Sequence, residues 1–188
     1  KMVVYGLPKD DDQGWRGGPI VGNGNFMPSY VTGLDAETGQ GPRSVVHYTT
    51  GCQAVDLEVD TITGQVTILR IAAAFDVGKA INPQQVRGQI EGCNVQALGY
   101  ALMEDLVQED GALKTGSLST YLVPTIMDIP ERLDPIIVET ADPLGPFGAR
   151  GMGEMPFGPL APAIAAAVHD ATGVWLDVLP MTPERVLN

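Results

Sequence analysis

The sequence predicts an α+β fold, with mixed sheet strands, a long central helix and a second, C-terminal helix. Three observations predict it. Val55, Leu57 and Val59 alternate with Asp56, Glu58 and Asp60, the period of a half-buried strand. Ile90, Cys93, Ala97 and Ala101 recur at spacings of three and four, the period of a helix face. The strands come as a run ahead of the helices, which favours α+β over a doubly wound sheet.

The elements follow in order. Residues 1–43 are punctuated by Gly17-Gly18-Pro19, Gly22-Asn23-Gly24 and Gly39-Gln40-Gly41-Pro42, and carry the acidic run Asp10-Asp11-Asp12. This is an irregular, extended approach segment whose acidic run reads as a solvated loop. Residues 44–188 form the body. Thr61-Ile62-Thr63-Gly64 is a turn, and Gln65 to Ala74 returns as the second arm of a hairpin. Ile71-Ala72-Ala73-Ala74-Phe75 is apolar throughout and is expected to be buried on both faces. Asn82 can cap, and Pro83 can begin, a helix running to Leu106. Gly92 and Gly99 in mid-helix point to close approach of another backbone. Leu118–Pro124 and Leu133–Thr140 are strand candidates, the second with Pro135 and so starting late or lying at an edge. Residues 142–162 form a loop rich in glycine and proline. Pro162–Thr172 is the second helix, stopped by Gly173. Trp175–Val178 is a candidate for a last short strand.

Composition narrows the function. The chain has 188 residues, 44% of them hydrophobic and 18% charged, which suffices for one domain with a sizeable core. Its net charge of −12 would be repelled by nucleic acid and by anionic membranes, so neither is an expected partner. No apolar run approaches the roughly 20 residues of a membrane span. Two cysteines, Cys52 and Cys93, make no disulfide framework, and with no signal-peptide pattern in view they point to a cytoplasmic location. The chain starts at Lys1 without Met, and is expected to be a processed chain or a piece of a longer one.

The strongest candidate for chemistry is Gly148-Ala149-Arg150-Gly151-Met152-Gly153-Glu154. Its glycines let backbone approach a ligand, and Glu154 places a carboxylate beside that backbone as a candidate general base. An acid just ahead of a helix is also favoured by the dipole, and that reading stands beside the first. Gln85, Gln89 and Gln96 share one helix surface and can offer donors and acceptors to a heterocycle, or simply face solvent. His47 and His169 lack the spacing of a metal site, and packing or surface roles are expected of them. No metal ligand is assigned. A dinucleotide fingerprint, a P-loop, a nucleophile elbow and iron–sulfur ligation are each unsupported by the glycine, serine and cysteine spacings.

Six segments carry a resemblance in order along the chain. They are Asp35-Ala36-Glu37-Thr38-Gly39-Gln40-Gly41, Asp76-Val77-Gly78 with Asn82-Pro83, Gly88-Gln89-Ile90-Glu91-Gly92, Tyr121 with Pro124, Gly148 to Glu154, and Pro180 to Leu187. Together they resemble the C-terminal part of the molybdopterin-binding (large) subunit of the xanthine dehydrogenase/aldehyde oxidase family of molybdenum hydroxylases. The resemblance implies that Glu154 is the catalytic base beside molybdenum. It implies that Gln89 bonds the pterin, and that Gly151, Met152 and Gly153 line the cofactor site with backbone. It implies hydroxylation of an N-heterocycle or aldehyde with water-derived oxygen, and hydride transfer to the molybdenum centre. The cofactor would be molybdenum-molybdopterin, with its cytosine dinucleotide form among the options. Electrons would leave through iron–sulfur clusters and FAD on partner domains or subunits. A carbon monoxide dehydrogenase-like large-subunit fragment and a non-catalytic assembly module are the alternatives. Met155 departs from the proline that many relatives carry there. The upstream pocket loops of the family are not in this sequence. The chain is therefore expected to be a fragment or split subunit, to need the remainder of its subunit as partner, and to be inactive alone.

Overall fold

The computed structural model describes residues 2–4, 20–25 and 28–188. The acidic run at 10–12 and the Gly17-Gly18-Pro19 turn lie outside these residues. The chain divides into two compact units, Lys1–Val46 and His47–Asn188.

In the first unit, β1 (Met2–Val4) pairs antiparallel with β2 (Ile20–Gly22). Further along, Asp35 closes a tight turn. Its carboxylate accepts from the Thr38 and Glu37 amides at 2.8 and 3.1 Å, while its own amide donates to Gln40 O at 2.8 Å. Gly39, at φ +65°, supplies the left-handed residue that this turn needs. The Thr38 amide is the main reason the Asp35 carboxyl sits below its ordinary range.

The second unit is built on a three-stranded sheet. The predicted hairpin is β3 (Gly51–Val59) and β4 (Val66–Asp76), antiparallel, with the Gly64 amide donating to Asp60 O across the turn. The pairing has one irregularity that the sequence pattern conceals. Asp56 pairs with Arg70 but Leu57 pairs with Ile68, so Leu69 is an extra residue, a β-bulge. The bulge inverts the side-chain parity. Val66 and Ile68 face the helices before it, and Ile71, Ala73 and Phe75 after it. Residues 71–75 are consequently buried on one face only, because Ala72 and Ala74 are on the other, half-exposed side.

From β4 the chain crosses through α1 (Pro83–Leu102) and a minimal hairpin, β5 (Gln108–Glu109) with β6 (Ala112–Leu113), to β7 (Arg132–Val138). Strand β7 pairs parallel with β4 and completes the sheet in the order β3-β4-β7. A parallel neighbour requires such a crossover. Pro135 sits within β7 and is tolerated because the strand's far edge is unpaired among the described residues. At the start of α1 the Gln85 amide donates to Asn82 Oδ1 at 3.2 Å, the expected cap. The helix stops at Leu102, one turn short of the expected Leu106. There the Met103 and Glu104 amides both turn back onto Gly99 O at 2.8 Å. The Tyr121 hydroxyl holds the Glu104 carboxylate at 2.6 Å, and a Cβ on Gly99 would run into the Pro124 ring. Gly99 thus meets a close neighbour, though a proline ring and not a second backbone; Gly92 faces open space.

Leu118–Pro124 is not a strand. The Thr120 and Tyr121 amides both return to Ser117 O, at 2.9 and 2.7 Å, and wind it into turns. The second long helix, α2 (Leu160–Thr172), ends at Gly173 in the left-handed conformation as predicted. Trp175–Val178 is irregular instead of a strand, and Trp175 stacks on His169 with ring centroids 4.1 Å apart. The short α3 (Pro183–Leu187) closes the chain.

Two apolar clusters result. One joins Ile68, Ile71, Leu98, Leu160, Ile164 and Val168, with Met181 and Val186 from the C-terminus. The other joins Ala73, Phe75, Val77, Ala80, Val86 and Ile90 beneath the start of α1. Ile71 is wholly buried in the first. Replacing it with alanine should lower unfolding free energy by about 2–5 kcal/mol in a denaturant titration. A loss well under 1 kcal/mol would show that the sheet does not pack on the helices as described.

Candidate functional site

The second apolar cluster is the floor of the site. The chain leaves β4 at Asp76 and turns at Gly78, where φ is +66° and any Cβ would collide with Gly148 O. That closeness is used. Lys79 N donates to Gly148 O at 2.7 Å, Arg150 N donates to Val77 O at 2.8 Å, and Gly78 bridges Ala149. The glycine-rich loop therefore begins as a short extra rung on the end of β4.

Arg150 locks this rung. Its Nη1 lies 3.0 Å from Asp76 Oδ2 and its Nε 3.0 Å from Asp142 Oδ2, with all three side chains largely buried. Both aspartates are further held by amides, Asp76 by Gly78 and Thr140, and Asp142 by Leu144 and Gly145. Those amides, foremost Gly78 for Asp76 and Leu144 for Asp142, together with the Arg150 guanidinium, hold both carboxyls below their usual range. His47 joins from the other side. Its Nε2 accepts from the Gly151 amide at 3.4 Å, and its Nδ1 is 3.9 Å from Asp142 Oδ2.

Beyond Arg150 the loop runs exposed over α1. Met152 and Met155 sink into the second apolar cluster, which anchors the loop at two points. Gly151 and Gly153 are exposed, and a Cβ at either would meet nothing within 4 Å. The Gly153 carbonyl is fixed by α1, from which Gln89 Nε2 donates at 3.3 Å and Cys93 Sγ at 3.6 Å. Burial, with the Glu154 charge second, pushes the Cys93 thiol up, so it stays protonated as a donor. Glu154 follows, exposed, and its carboxylate makes no hydrogen bond to the described residues. Its backbone carbonyl accepts from the Phe157 amide at 3.0 Å as the chain enters a single 3₁₀ turn, Met155–Phe157.

A cavity of about 640 Å³ opens beside the loop. Lys79, Asn82, Gln85, Gln89, Arg150 and Met152 are among its lining, but Glu154 is not. Gln85 and Gln89 thus share a wall, and Gln96, farther along α1, is not part of it. Among the described residues no cluster of three or more His, Cys, Asp or Glu side chains is placed to hold a metal ion.

Sequence reading misses His47, Cys93, Asp76 and Asp142 as parts of this site. For His47 it gives only a packing or surface role. A polar Asn94 inside an apolar helix stripe is the one local signal of the buried side of the site.

This arrangement fits a polar heterocyclic cofactor. At Gly88, Gly92, Gly151 and Gly153 an added Cβ would meet nothing within 4 Å among the described residues. The comparisons agree. A family model described as a molybdopterin cofactor-binding domain matches residues 11–130. The chain belongs to this molybdopterin-binding family. Its relatives are molybdenum-binding subunits of the xanthine dehydrogenase and aldehyde oxidoreductase type. It is 41% identical over 141 residues to a probable xanthine dehydrogenase subunit of Bacillus subtilis, covering 75% of this chain and 19% of that one. It is 39% identical over 170 residues to the aldehyde oxidoreductase of Megalodesulfovibrio gigas, covering 90% and 18%. The quinoline 2-oxidoreductase of Pseudomonas putida 86 superposes with a TM-score of 0.70 at 38% identity, over 73% of this chain and 18% of that chain. The chain spans under a fifth of the length of these molybdopterin-binding relatives.

Because the folded carboxyls of Asp76 and Asp142 are depressed, the unfolded state binds more protons than the folded one as pH falls through about 4. Their stabilisation is full above that pH and is lost below it. Asp142→Asn should lower Tm at neutral pH and flatten the fall in Tm between about pH 4 and 2. An acid limb as steep as in the wild type would mean that Asp142 is not held as described.

Proposed function

We propose that this chain is part of the molybdenum site of an oxidoreductase that hydroxylates an N-heterocycle or an aldehyde. The observation that carries the reading is Glu154, an exposed carboxylate with no partner among the described residues, on a glycine-rich loop whose neighbouring carbonyl is pinned by α1. The cofactor, when bound, supplies the two-electron redox centre. The protein's own residues do the rest. Glu154 would accept a proton at its carboxylate and activate the oxygen that is transferred. Gln89 would bond the pterin through the amide oxygen that its contact to Gly153 leaves available. Gly151, Met152 and Gly153 would line the cofactor with backbone, and Met152 and Met155 keep that backbone in place.

Names among the relatives support the substrate class: a probable hypoxanthine oxidase of Escherichia coli, an aldehyde oxidoreductase and a quinoline 2-oxidoreductase. Carbon monoxide dehydrogenase structures are similar at 25 and 26% identity, against 36 to 38% for quinoline and aldehyde oxidoreductases, which favours the heterocycle or aldehyde. The cytosine dinucleotide form stays among the options for the cofactor, and we further propose electron exit through iron–sulfur and flavin partners and a cytoplasmic location. The location is supported by two unpaired cysteines, Cys52 and Cys93. Residues 1–43 would be the approach segment and 44–188 the cofactor-binding body, completed by the rest of the subunit.

The test is made on the complete enzyme purified from its source. Molybdenum should be near one per chain. Glu154→Gln should keep that content and lower kcat by about 10²-fold or more, the scale of losing a general base. An unchanged kcat would remove Glu154 from the chemistry. A complex without molybdenum, from cells given ample molybdate, would remove the molybdenum reading.

A further inference from the structure

Close to Glu154 in the fold, the buried amide of Asn94 meets the half-buried Gln53. Asn94 is fully buried within α1, where the helix stripe is otherwise apolar. Its Nδ2 donates to Ile90 O at 2.8 Å, which leaves Oδ1 as an acceptor for a group outside the helix. Gln53, from β3, supplies that group. Its Nε2 donates to Asn94 Oδ1 at 2.7 Å and to Pro156 O at 2.8 Å. The amide orientation is forced. Turned over, Gln53 would set its oxygen against two acceptors, so Nε2 must face them. The consequence is that Gln53 Oε1, shielded from solvent, has no partner among the described residues.

An apolar pair of the same volume would fill this space without an orphaned oxygen. What it could not do is bond Pro156 O. That carbonyl lies two residues beyond Glu154, and the Gly153 carbonyl, one residue before it, is the atom that Gln89 and Cys93 hold. The peptide carrying Glu154 is therefore gripped on both sides, from α1 before it and from β3 after it.

We propose that Gln53 is a positioning residue for Glu154, with Asn94 orienting it, so that the strand, through Pro156 O, sets the direction in which the Glu154 carboxylate is presented. Gln53 touches no reacting atom; it acts through the backbone. The proposal rests on Glu154 being the base.

The experiment uses the complete enzyme, with hypoxanthine, xanthine and benzaldehyde as probes and a redox dye as acceptor. Gln53→Met/Asn94→Leu replaces both amides with apolar side chains of similar size and leaves Pro156 O without its donor. It is expected to keep molybdenum content and KM near wild type and to lower kcat about 10- to 100-fold, as small misplacements of a reacting group do. Asn94→Leu alone keeps the Gln53–Pro156 bond and should lose much less. Amide hydrogen exchange at Phe157, whose N–H bonds Glu154 O, should accelerate in the double variant but not in Asn94→Leu. A double variant with wild-type kcat and exchange, in an enzyme that Glu154→Gln inactivates, would overturn the positioning role alone. A Glu154→Gln enzyme with wild-type kcat would instead overturn the reading of Glu154, and the positioning role with it. A general packing role for the pair would show as equal losses in Asn94→Leu and the double variant, which also overturns the proposal.

Discussion

The site depends on one guanidinium. Arg150 lies between Asp76 at the end of β4 and Asp142 in the loop after β7, and it joins chain segments that are far apart in sequence. The loop it begins is rich in glycine, and glycine loses more conformational freedom on folding than any other residue. Such a loop does not order itself. Two charge-assisted bonds to carboxylates that are themselves tied to backbone amides give it a fixed origin. From that origin the remaining contacts are short steps: an amide to His47, two methionines into the apolar floor, and a carbonyl over Gln89 and Cys93. The charges balance poorly in number, one cation against two anions, and the amide donors to each aspartate make up the difference. This is how a buried ionic group is tolerated at all.

Helix α1 serves two purposes, and its composition shows it. Val86, Ile90, Ala97, Leu98 and Ala101 face the two apolar clusters. Gln85, Gly88, Gln89, Gly92 and Gln96 face outward. Exposed glycines inside a helix cost roughly 1 kcal/mol each relative to alanine. Among the described residues, nothing packed against Gly88 or Gly92 requires that cost. The same is true at Gly151 and Gly153. These four bare positions lie on two elements held together by the Gly153 carbonyl, and none meets a neighbour among the described residues.

How much of this was legible in the sequence follows the range of the interactions. The β3–β4 hairpin, the Asn82–Pro83 start of α1 and the Gly173 stop of α2 are written in a few neighbouring residues, and the structure has them. The end of α1 depends on Tyr121 and Pro124, some way along the chain, and helix periodicity alone overruns it by a turn. The bulge at Leu69 is hidden because an unbroken apolar run erases the alternation that would reveal a change of parity. Leu118–Pro124 and Trp175–Val178 have β-prone residues, but Ser117 and the His169–Trp175 stack offer local alternatives that win. In the site, Glu154 and Gln89 stand out by motif, whereas His47 and Gln53 act over separations of 104 and 103 residues, which no local pattern encodes.

The pattern of restraint bears on how the carboxylate could work. Every neighbour of Glu154 along the chain is tied down, while its own carboxylate has no partner among the described residues. The general-base role proposed for Glu154 needs that combination. A carboxylate that already accepts several hydrogen bonds, as Asp76 and Asp142 do, is too weak a base to take a proton near neutral pH. A carboxylate on a slack loop would spend most of its time misdirected. The protein commits hydrogen-bond donors to the backbone on either side and to Asp76 and Asp142, and leaves the Glu154 carboxylate without a partner among the described residues.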